Sequence, residues 1–278
     1  MKRIFINFVV FLSIIIMVGC MASPLPYFFV HISDTQLGMM EKDEGFSNES
    51  SRFAQTVLAI NRLNPAFVVI TGDLVNREGD EAQIAELKRL LAEVKTTIPV
   101  YYVPGNHDVG QTVSDEMLAL YRTHFGNDRF SVLYENTRLI GINSQLILSK
   151  RDTLEMEQYQ WLEDELKKSK ENRYRFVFAH HPLFFQTVNE EISSQNLPVE
   201  LRKYIDLFDK YDVSYMFVGH LHRNHTVQAG NLTIVVTNSI SASRSDEPLG
   251  IRIVKVFPDK IVHDYYSLET LPEKIFDF

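Results

Sequence analysis

One cysteine, Cys20, stands in a chain of 278 residues, so an intramolecular disulfide framework is excluded. Zinc fingers and iron–sulfur clusters, which need several thiolates, go with it. Positive charge is in short supply: 28 Lys and Arg face 36 Asp and Glu, for a formal net charge of −8. That balance argues against a broad electrostatic footprint for a nucleic-acid polymer. A small anionic substrate stays compatible if metal ions or local cations supply the attraction. Internal repeats and low-complexity tracts are missing, and with 45% hydrophobic and 23% charged residues neither a disordered chain nor a collagen-like or coiled-coil rod fits. No obvious linker follows Pro26. The length suits one large domain that buries its core without a metal staple.

A long apolar run occurs at the N-terminus. Lys2 and Arg3 precede Ile4 to Val18, interrupted only by Asn7 and Ser13, too short to span a bilayer comfortably and placed like the h-region of an export signal. It ends in Met17-Val18-Gly19-Cys20, which resembles a bacterial lipobox, with Met17 where leucine is commonest. The expectation is a lipoprotein-type signal peptide over residues 1–19, then a lipidated Cys20 and a stiff Ser23-Pro24-Leu25-Pro26 tether within residues 20–26. Residues 27–278 would then form the folded domain, an exported lipoprotein in the bacterial cell envelope, held to a membrane by its N-terminal lipid. A plain secretory signal cleaved near Ala22 or Ser23, leaving a secreted or periplasmic protein, and an uncleaved anchor are the competing readings.

From Tyr27 onward, apolar runs of strand length alternate with amphipathic runs of helix length, the pattern of an α/β protein. Tyr27 to Ile32 predicts a strand ending at Ser33-Asp34. Phe53, Val57 and Ile60 mark a helix face closed by Asn64-Pro65. Ala66 to Ile70 is a strand ending at Thr71-Gly72-Asp73. Ile84, Leu87, Leu91 and Val94 mark a second helix, and Val100 to Val103 a strand ending at Pro104-Gly105-Asn106-His107-Asp108. Further on, Asp152 to Lys168 predicts a helix with an Asp-x-x-Glu capping box and a Met156, Tyr159, Leu162, Leu166 stripe. Phe176 to Ala179 runs into His180-His181-Pro182, and Val213 to Val218 into Gly219-His220-Leu221-His222. Thr226 to Tyr266 reads as antiparallel strands with turns at Ala229-Gly230-Asn231 and Pro258-Asp259.

Each of these strands finishes in polar residues, and in open α/β sheets sites form beyond the carboxyl ends of strands. Asp34 with Gln36, Asp73, Asn106 with His107, His180, and His220 with His222 would therefore meet in one crevice. Oxygen ligands mixed with imidazoles suit Mn, Fe, Zn or Mg better than calcium, which prefers oxygen alone.

In that order and strand context the residues resemble the calcineurin-like metallophosphoesterases, whose signature is Asp-x-His, Gly-Asp, Gly-Asn-His-Asp/Glu, His and Gly-His-x-His. The matching segments are Asp34-Thr35-Gln36, Gly72-Asp73, Gly105-Asn106-His107-Asp108, His180 and Gly219-His220-Leu221-His222; five pieces in register are a strong signal where one would be weak. The resemblance implies a four-layer sandwich of two mixed β-sheets flanked by helices. It implies two divalent ions, one on Asp34, Gln36, Asp73 and His222, the other on Asp73, Asn106, His180 and His220, and hydrolysis of a phosphate ester by metal-bound hydroxide. His107 would serve the leaving oxygen and Asp108 would orient its ring. The expected partner is a phosphorylated small molecule or phosphoprotein, with a cyclic-nucleotide or other small-diester phosphodiesterase as the alternative. A non-catalytic phosphate- or partner-binding lipoprotein is the reading from another class, but pure binding has no need of a leaving-group histidine.

Two positions depart from the pattern. Gln36 replaces the usual histidine of the first motif, offering a weaker amide oxygen that favours harder ions such as Mn or Mg; the Asp-x-Gln-Leu-Gly wording is similar to the branch of the complete S-transactivated protein, an animal serine/threonine phosphatase of this superfamily. Asn76 stands where purple acid phosphatases have tyrosine, so their Fe(III) charge-transfer site is not expected. Of the remaining residues, His31 reads as a satisfied core histidine, and His181 competes with His180 for one ligand role. His225 and Arg244 are candidates for substrate contact. Met39-Met40 and Phe184-Phe185 flank site motifs, and the loops Met39 to Ser50 and Phe185 to Pro198 leave from the site and would set specificity.

Overall fold

The structure, a computed structural model, describes residues 25–42, 44–149, 151–183 and 201–276. The signal peptide, Cys20, Phe184 and the loop from Phe185 to Pro198 lie outside the described residues.

The strands sort into two mixed sheets. In the first, β1 (Tyr27–Ile32), β2 (Val68–Thr71) and β3 (Val100–Val103) run parallel. On the other side of β1, the hairpin of β10 (Gly250–Val256) and β11 (Ile261–Ser267) pairs antiparallel, giving the order β11-β10-β1-β2-β3. The second sheet has the order β4-β5-β6-β7-β9-β8. There β5 (Thr137–Gly141), β6 (Tyr174–Phe178), β7 (Tyr215–Val218) and β9 (Leu232–Val236) are parallel, while β4 (Phe130–Tyr134) and β8 (His225–Ala229) are antiparallel edges. The expected tail of antiparallel strands is thus divided: two strands complete the second sheet and two the first.

Side-chain alternation along the strands explains the layering. Val30 and Ile32 of β1, with Val68 and Ile70 of β2, face Phe53, Val57 and Ile60 of α1 (Ser47–Leu63) and Ile84, Leu87 and Leu90 of α2 (Glu81–Leu91). On the far side, Val177, Met216, Val218 and Ile234 face Leu162 and Leu166 of α6 (Asp152–Lys168) and Tyr204, Leu207 and Phe208 of α7 (Arg202–Lys210). Between the sheets lie Phe29, Phe67, Phe176, Phe178 and Phe217 with Val69, Val235 and Val254. The result is the four-layer sandwich expected from the sequence. Each fully buried phenyl ring is worth about 1.5–3 kcal/mol, and this aromatic layer presses the sheets together so that their carboxyl ends meet.

Helix ends follow local chemistry. Asp80 caps α2 by accepting from the N–H groups of Ala82 and Gln83, both at 3.1 Å, and α1 stops at a left-handed Asn64 with φ 55° before Pro65. The α6 reading needs correction. Its N-cap is Arg151, with no side-chain cap bond; Glu155 reaches instead to the Tyr204 hydroxyl and to Lys203 Nζ at 2.9 Å. Tertiary partners on α7 have outcompeted the local capping box. Met156 is 56% exposed, and the buried face includes Gln158, which exchanges hydrogen bonds with the Asn143 backbone at 2.8 and 3.0 Å. Leu90 rather than Leu91 completes the buried stripe of α2.

Candidate metal centre

Backbone bonds stitch the motif loops together. Asp34 N–H donates to Gly72 O at 3.1 Å and Gln36 N–H to Asp73 O at 2.8 Å, so the loops after β1 and β2 run side by side. Ile240 N–H donates to Ser33 O at 3.2 Å, Ser239 Oγ to Asp34 O at 2.9 Å, and Gly219 N–H to His180 O at 3.0 Å. The bonds of Ile240 and Ser239 tie the second sheet's loops to the first, and that of Gly219 joins the loops after β6 and β7. Asp34, Gln36, Asp73, His220 and His222 all hold left-handed backbone, with φ of 54, 43, 50, 68 and 49°. That conformation costs a non-glycine residue about 1–2 kcal/mol, and its concentration on candidate ligands marks strain kept for the site. Gly72, with φ 79°, has no room for a side chain, since a Cβ there would lie 2.7 Å from Gly105 N and 2.8 Å from His180 Nδ1.

Two sets of ligand atoms result. In one, Asp34 Oδ1 lies 3.2 Å from His222 Nε2. Asp34 Oδ1 and Gln36 Oε1 are both buried and have no hydrogen-bond donor. In the other, His180 Nε2 lies 3.2 Å from each of Asp73 Oδ2, Asn106 Oδ1 and His220 Nδ1. Asp34, Asp73 and His180 offer ligand atoms within 4.8 Å of one another, so the two sets are contiguous. The imidazoles are aimed by backbone carbonyls: His180 Nδ1 donates to Thr71 O at 2.8 Å and His222 Nδ1 to Ala242 O at 2.6 Å. Each thereby turns its Nε2 inward, as the atom a metal ion would take on displacing its proton.

Such a convergence of acceptors fits a cation. With metal–ligand bonds of about 2.1 Å, neighbouring ligands stand about 3.0–3.4 Å apart, the spacing seen here. The electrostatics lean the same way. Burial opposes charge on His180, yet the Asp73 and Asp34 carboxylates outweigh it and raise its pKa to about 9. His222 is raised against burial by Asp34. Asp34 is held below the usual carboxylate range by His222, His180 and Ser33 despite its burial, and Asp73 is lowered chiefly by His180. Burial and His180 push His220 down to about 4, leaving it neutral.

His107 borders this cluster: its N–H donates to Asp73 Oδ1 at 2.9 Å and its ring Nδ1 to Asn76 O at 2.5 Å. The expectation that Asp108 orients the His107 ring is corrected. Asp108 Oδ1 accepts from the N–H groups of Leu74 and Val75 at 2.9 and 3.2 Å, and Oδ2 from Gly105 N–H at 2.8 Å. Burial and Asp73 push its carboxyl up to about 8 against those donors. As the residue after His107, Asp108 faces the backbone it braces, and a main-chain carbonyl aims the histidine. That carbonyl belongs to Asn76, whose side chain alone the sequence made conspicuous.

His181 also lies in the cluster with His180 and His220, its ring centroid 3.8 Å from that of His220; His180 belongs to both groups of candidate ligands, His181 to one. Arg244 is exposed beside His222, donating its backbone N–H to His222 O at 2.8 Å, and its charge acts against protonation of His222. His225 opens β8, half-buried, and lines a separate cavity of about 590 Å³ with Arg252 and Tyr265. His31 is fully buried, as expected.

Buried carboxylates, amides and imidazoles gathered where two stacked sheets end form a site suited to divalent metal ions. Residues 29–224 match the family model for calcineurin-like phosphoesterases, and the chain belongs to that family. It is similar to a protein of Bos taurus named serine/threonine-protein phosphatase CPPED1, with 35% identity over 90% of this chain and 86% of the relative. It is also similar to a probable glycerophosphodiester phosphodiesterase, GpdQ, of Arcobacter nitrofigilis, with 30% identity over 66% of this chain and 67% of the relative. Its fold resembles that of a dimetal phosphatase from Danio rerio, with TM-score 0.64 and 14% identity over 87% of this chain and 96% of that one. The protein is therefore a metal-dependent phosphoric ester hydrolase, of a family that works with two divalent ions.

Proposed function

We propose that the chain hydrolyses phosphate monoesters, with phosphorylated protein as the substrate class, at a two-ion centre. Asp34, Gln36, Asp73 and His222 would hold one ion and Asp73, Asn106, His180 and His220 the other. The observation that carries this reading is the pair of buried, donorless oxygens on Asp34 and Gln36 beside His222. Such atoms are costly unless a cation completes them. The likeness to a protein named as a serine/threonine phosphatase, over most of both chains, supports the monoester choice.

Mn, Fe, Zn or Mg bound there would polarise the phosphoryl group and activate water. The chain supplies the rest. With Nδ1 committed to Asn76 O, His107 keeps Nε2 as the atom that exchanges a proton with the leaving oxygen. Arg244, exposed next to His222, offers a guanidinium for the non-bridging phosphate oxygens, with His225 further along as a second contact.

The glycerophosphodiester relative favours a second reading, hydrolysis of small diesters. Rates of the manganese-loaded protein on an aryl monophosphate, a bis-aryl diester and a phosphoserine peptide separate the two, with metal content measured alongside. The monoester and peptide should be turned over faster, and Asp73→Ala should lose both metal and activity. Preference for the diester would establish the second reading, and equal activity in Asp73→Ala would sink both.

We also propose that a lipidated Cys20 anchors the domain to the bacterial cell envelope; the run from Ile4 to Val18 and the glycine before the cysteine support it. Mass spectrometry of the membrane fraction should find a diacylated N-terminal Cys20. A mature chain starting at Ala22 or later would refute the anchor.

A further inference from the structure

The space between the sheets changes character toward the site. Phe29, Val69, Val235 and Val254 belong to the apolar layer, and the next inward residues along the same strands are His31, Thr71, Thr237 and Arg252. All four are buried, Arg252 with 5% of its surface exposed. His31 and Arg252 are direct partners in the β1–β10 register, and the His31 ring packs edge-on against Phe178 and Phe217.

Arg252 makes no carboxylate contact among the described residues. Its Nε donates to Thr237 Oγ1 at 2.8 Å, Nη2 to Asn224 Oδ1 at 2.6 Å and Val236 O at 3.2 Å, and Nη1 to His263 Nδ1 at 3.1 Å. From Thr237 a continuous path leads on. Thr237 Oγ1 is 2.8 Å from His31 Nδ1, His31 Nε2 is 2.8 Å from Thr71 Oγ1, Thr71 Oγ1 is 3.0 Å from Ser33 Oγ, and Ser33 Oγ is 2.5 Å from Asp34 Oδ2.

The carboxylate end fixes the direction of the bonds that lead to it, as far as the His31 ring. A guanidinium can only donate and a carboxylate can only accept. Ser33 gives its proton to Asp34 and Thr71 gives its own to Ser33, so Thr71 must accept from His31 Nε2–H, and a neutral His31 then takes the Thr237 hydroxyl proton on its bare Nδ1. Competing acceptors are longer, Ile32 O at 3.5 Å from Thr71 Oγ1 and Thr71 O at 3.2 Å from Ser33 Oγ. Burial and the charge of Arg252 keep His31 neutral. Aligned dipoles between a buried cation and a buried anion strengthen one another.

We propose that Arg252, Thr237, His31 and Thr71 are positioning residues for Asp34. Their chain, ending on the Ser33 hydroxyl, together with the His220 N–H at 3.1 Å, occupies Oδ2 and leaves Oδ1 as the oxygen turned to a metal ion beside Gln36 and His222. The inference rests on Asp34 being a ligand, so its test carries a control for that reading.

The experiment compares Thr237→Val, which keeps the shape and removes the hydroxyl, with Thr237→Ser, which restores it. In metal-free protein, nitrogen-15 NMR should show His31 protonated on Nε2 and bare on Nδ1. In manganese titrations, Ser33→Ala, which removes the hydrogen bond to Asp34 itself, should weaken one of two ions about 10–100-fold, the range for loss of an outer hydrogen bond to a ligand. Thr237→Val, further along the chain, should weaken the same ion by a smaller factor of about threefold or more. Thr237→Ser should bind both as the parent does, and Asp34→Asn should weaken the same ion. A proton on His31 Nδ1, or two unaltered ions in Ser33→Ala or Thr237→Val while Asp34→Asn loses one, overturns the positioning chain and leaves the site reading standing. Two unaltered ions in Asp34→Asn overturn both. Should Thr237→Val fail to fold, Ser33→Ala, which removes the last link, decides the matter in the same titration.

Discussion

His107 donates its Nδ1 proton to the main-chain carbonyl of Asn76 at 2.5 Å, while Asp108 next to it accepts from the backbone N–H groups of Leu74, Val75 and Gly105. One residue of the pair thus faces the cluster and the other braces the loops that carry it. His107→Ala should lower turnover about 10²–10⁴-fold, the usual worth of general acid–base help, with metal content unchanged. Asp108→Asn should act through stability: an amide N–H₂ must face at least one backbone donor, a loss of about 1–3 kcal/mol. Its melting temperature should fall while the pH–rate profile keeps its shape. A profile shifted by a full unit at unchanged melting temperature would give Asp108 the ring-orienting role after all.

The pKa of His180, raised from 6.5 to about 9 by Asp73 and Asp34 against its burial, predicts how metal affinity varies with pH. An ion at Nε2 must displace that proton, so below pH 9 affinity should climb about tenfold per pH unit and level off above it. The sign for the metal-free fold is opposite. Stability from the His180–Asp73 pair is fully present below the ordinary histidine value and is lost as pH rises through 9. Manganese titration and thermal melts of metal-free protein from pH 6 to 10 check both. Affinity independent of pH over that range would show that His180 is not the group displaced.

Much of this was legible in the chain because strand ends carry the chemistry. The hydrophobic spacing placed β1, β2 and β3 within two residues of their observed bounds, and polar residues after each strand marked where the loops would converge. The sequence could not show which neighbour each side chain would choose. Asp108 adjoins His107 in sequence, yet backbone donors from residues around 74 and 105 claim it. Glu155 had the spacing of a capping box, yet Tyr204 and Lys203 on another helix hold it. His31 read as a core histidine and is one, but its links to Thr71 and Thr237 depend on inward alternation in strands drawn from both sheets. The available signal was a polar residue at an inward position one step beyond each apolar one, visible only once the strands are paired.

Gly219 offers a test of how closely the second sheet's loop approaches Asp34. A Cβ at this position would overlap Ser33 Oγ and lie 2.6 Å from Asp34 Oδ2, closer than real side chains come. The Gly219 backbone is itself tied to His180 O at 3.0 Å, so retreat would drag His180 along. Gly219→Ala should therefore fold but bind less than one equivalent of the ion that Asp34 would share with His222, and lose at least about tenfold in turnover. Metal analysis after dialysis against trace manganese decides the matter. Two retained ions with parental turnover would mean that the loop relaxes away from Asp34.

The sharpest chemical question is posed by Gln36, whose buried Oε1 has no donor although the residue is 1% exposed. A neutral amide oxygen is a hard, weak ligand, and imidazole is softer and stronger. Position 36 has left-handed backbone with φ 43°, a conformation that histidine tolerates better than most residues, and imidazole Nε2 reaches about as far from Cβ as the amide oxygen does. Gln36→His should therefore be accommodated and should raise the affinity for zinc relative to manganese at one of the two ions, by tenfold or more. Competitive titration of metal-free parent and variant reads this ratio without reference to any substrate. Unchanged selectivity would mean that the amide does not face the ion, and its buried oxygen would then need another partner.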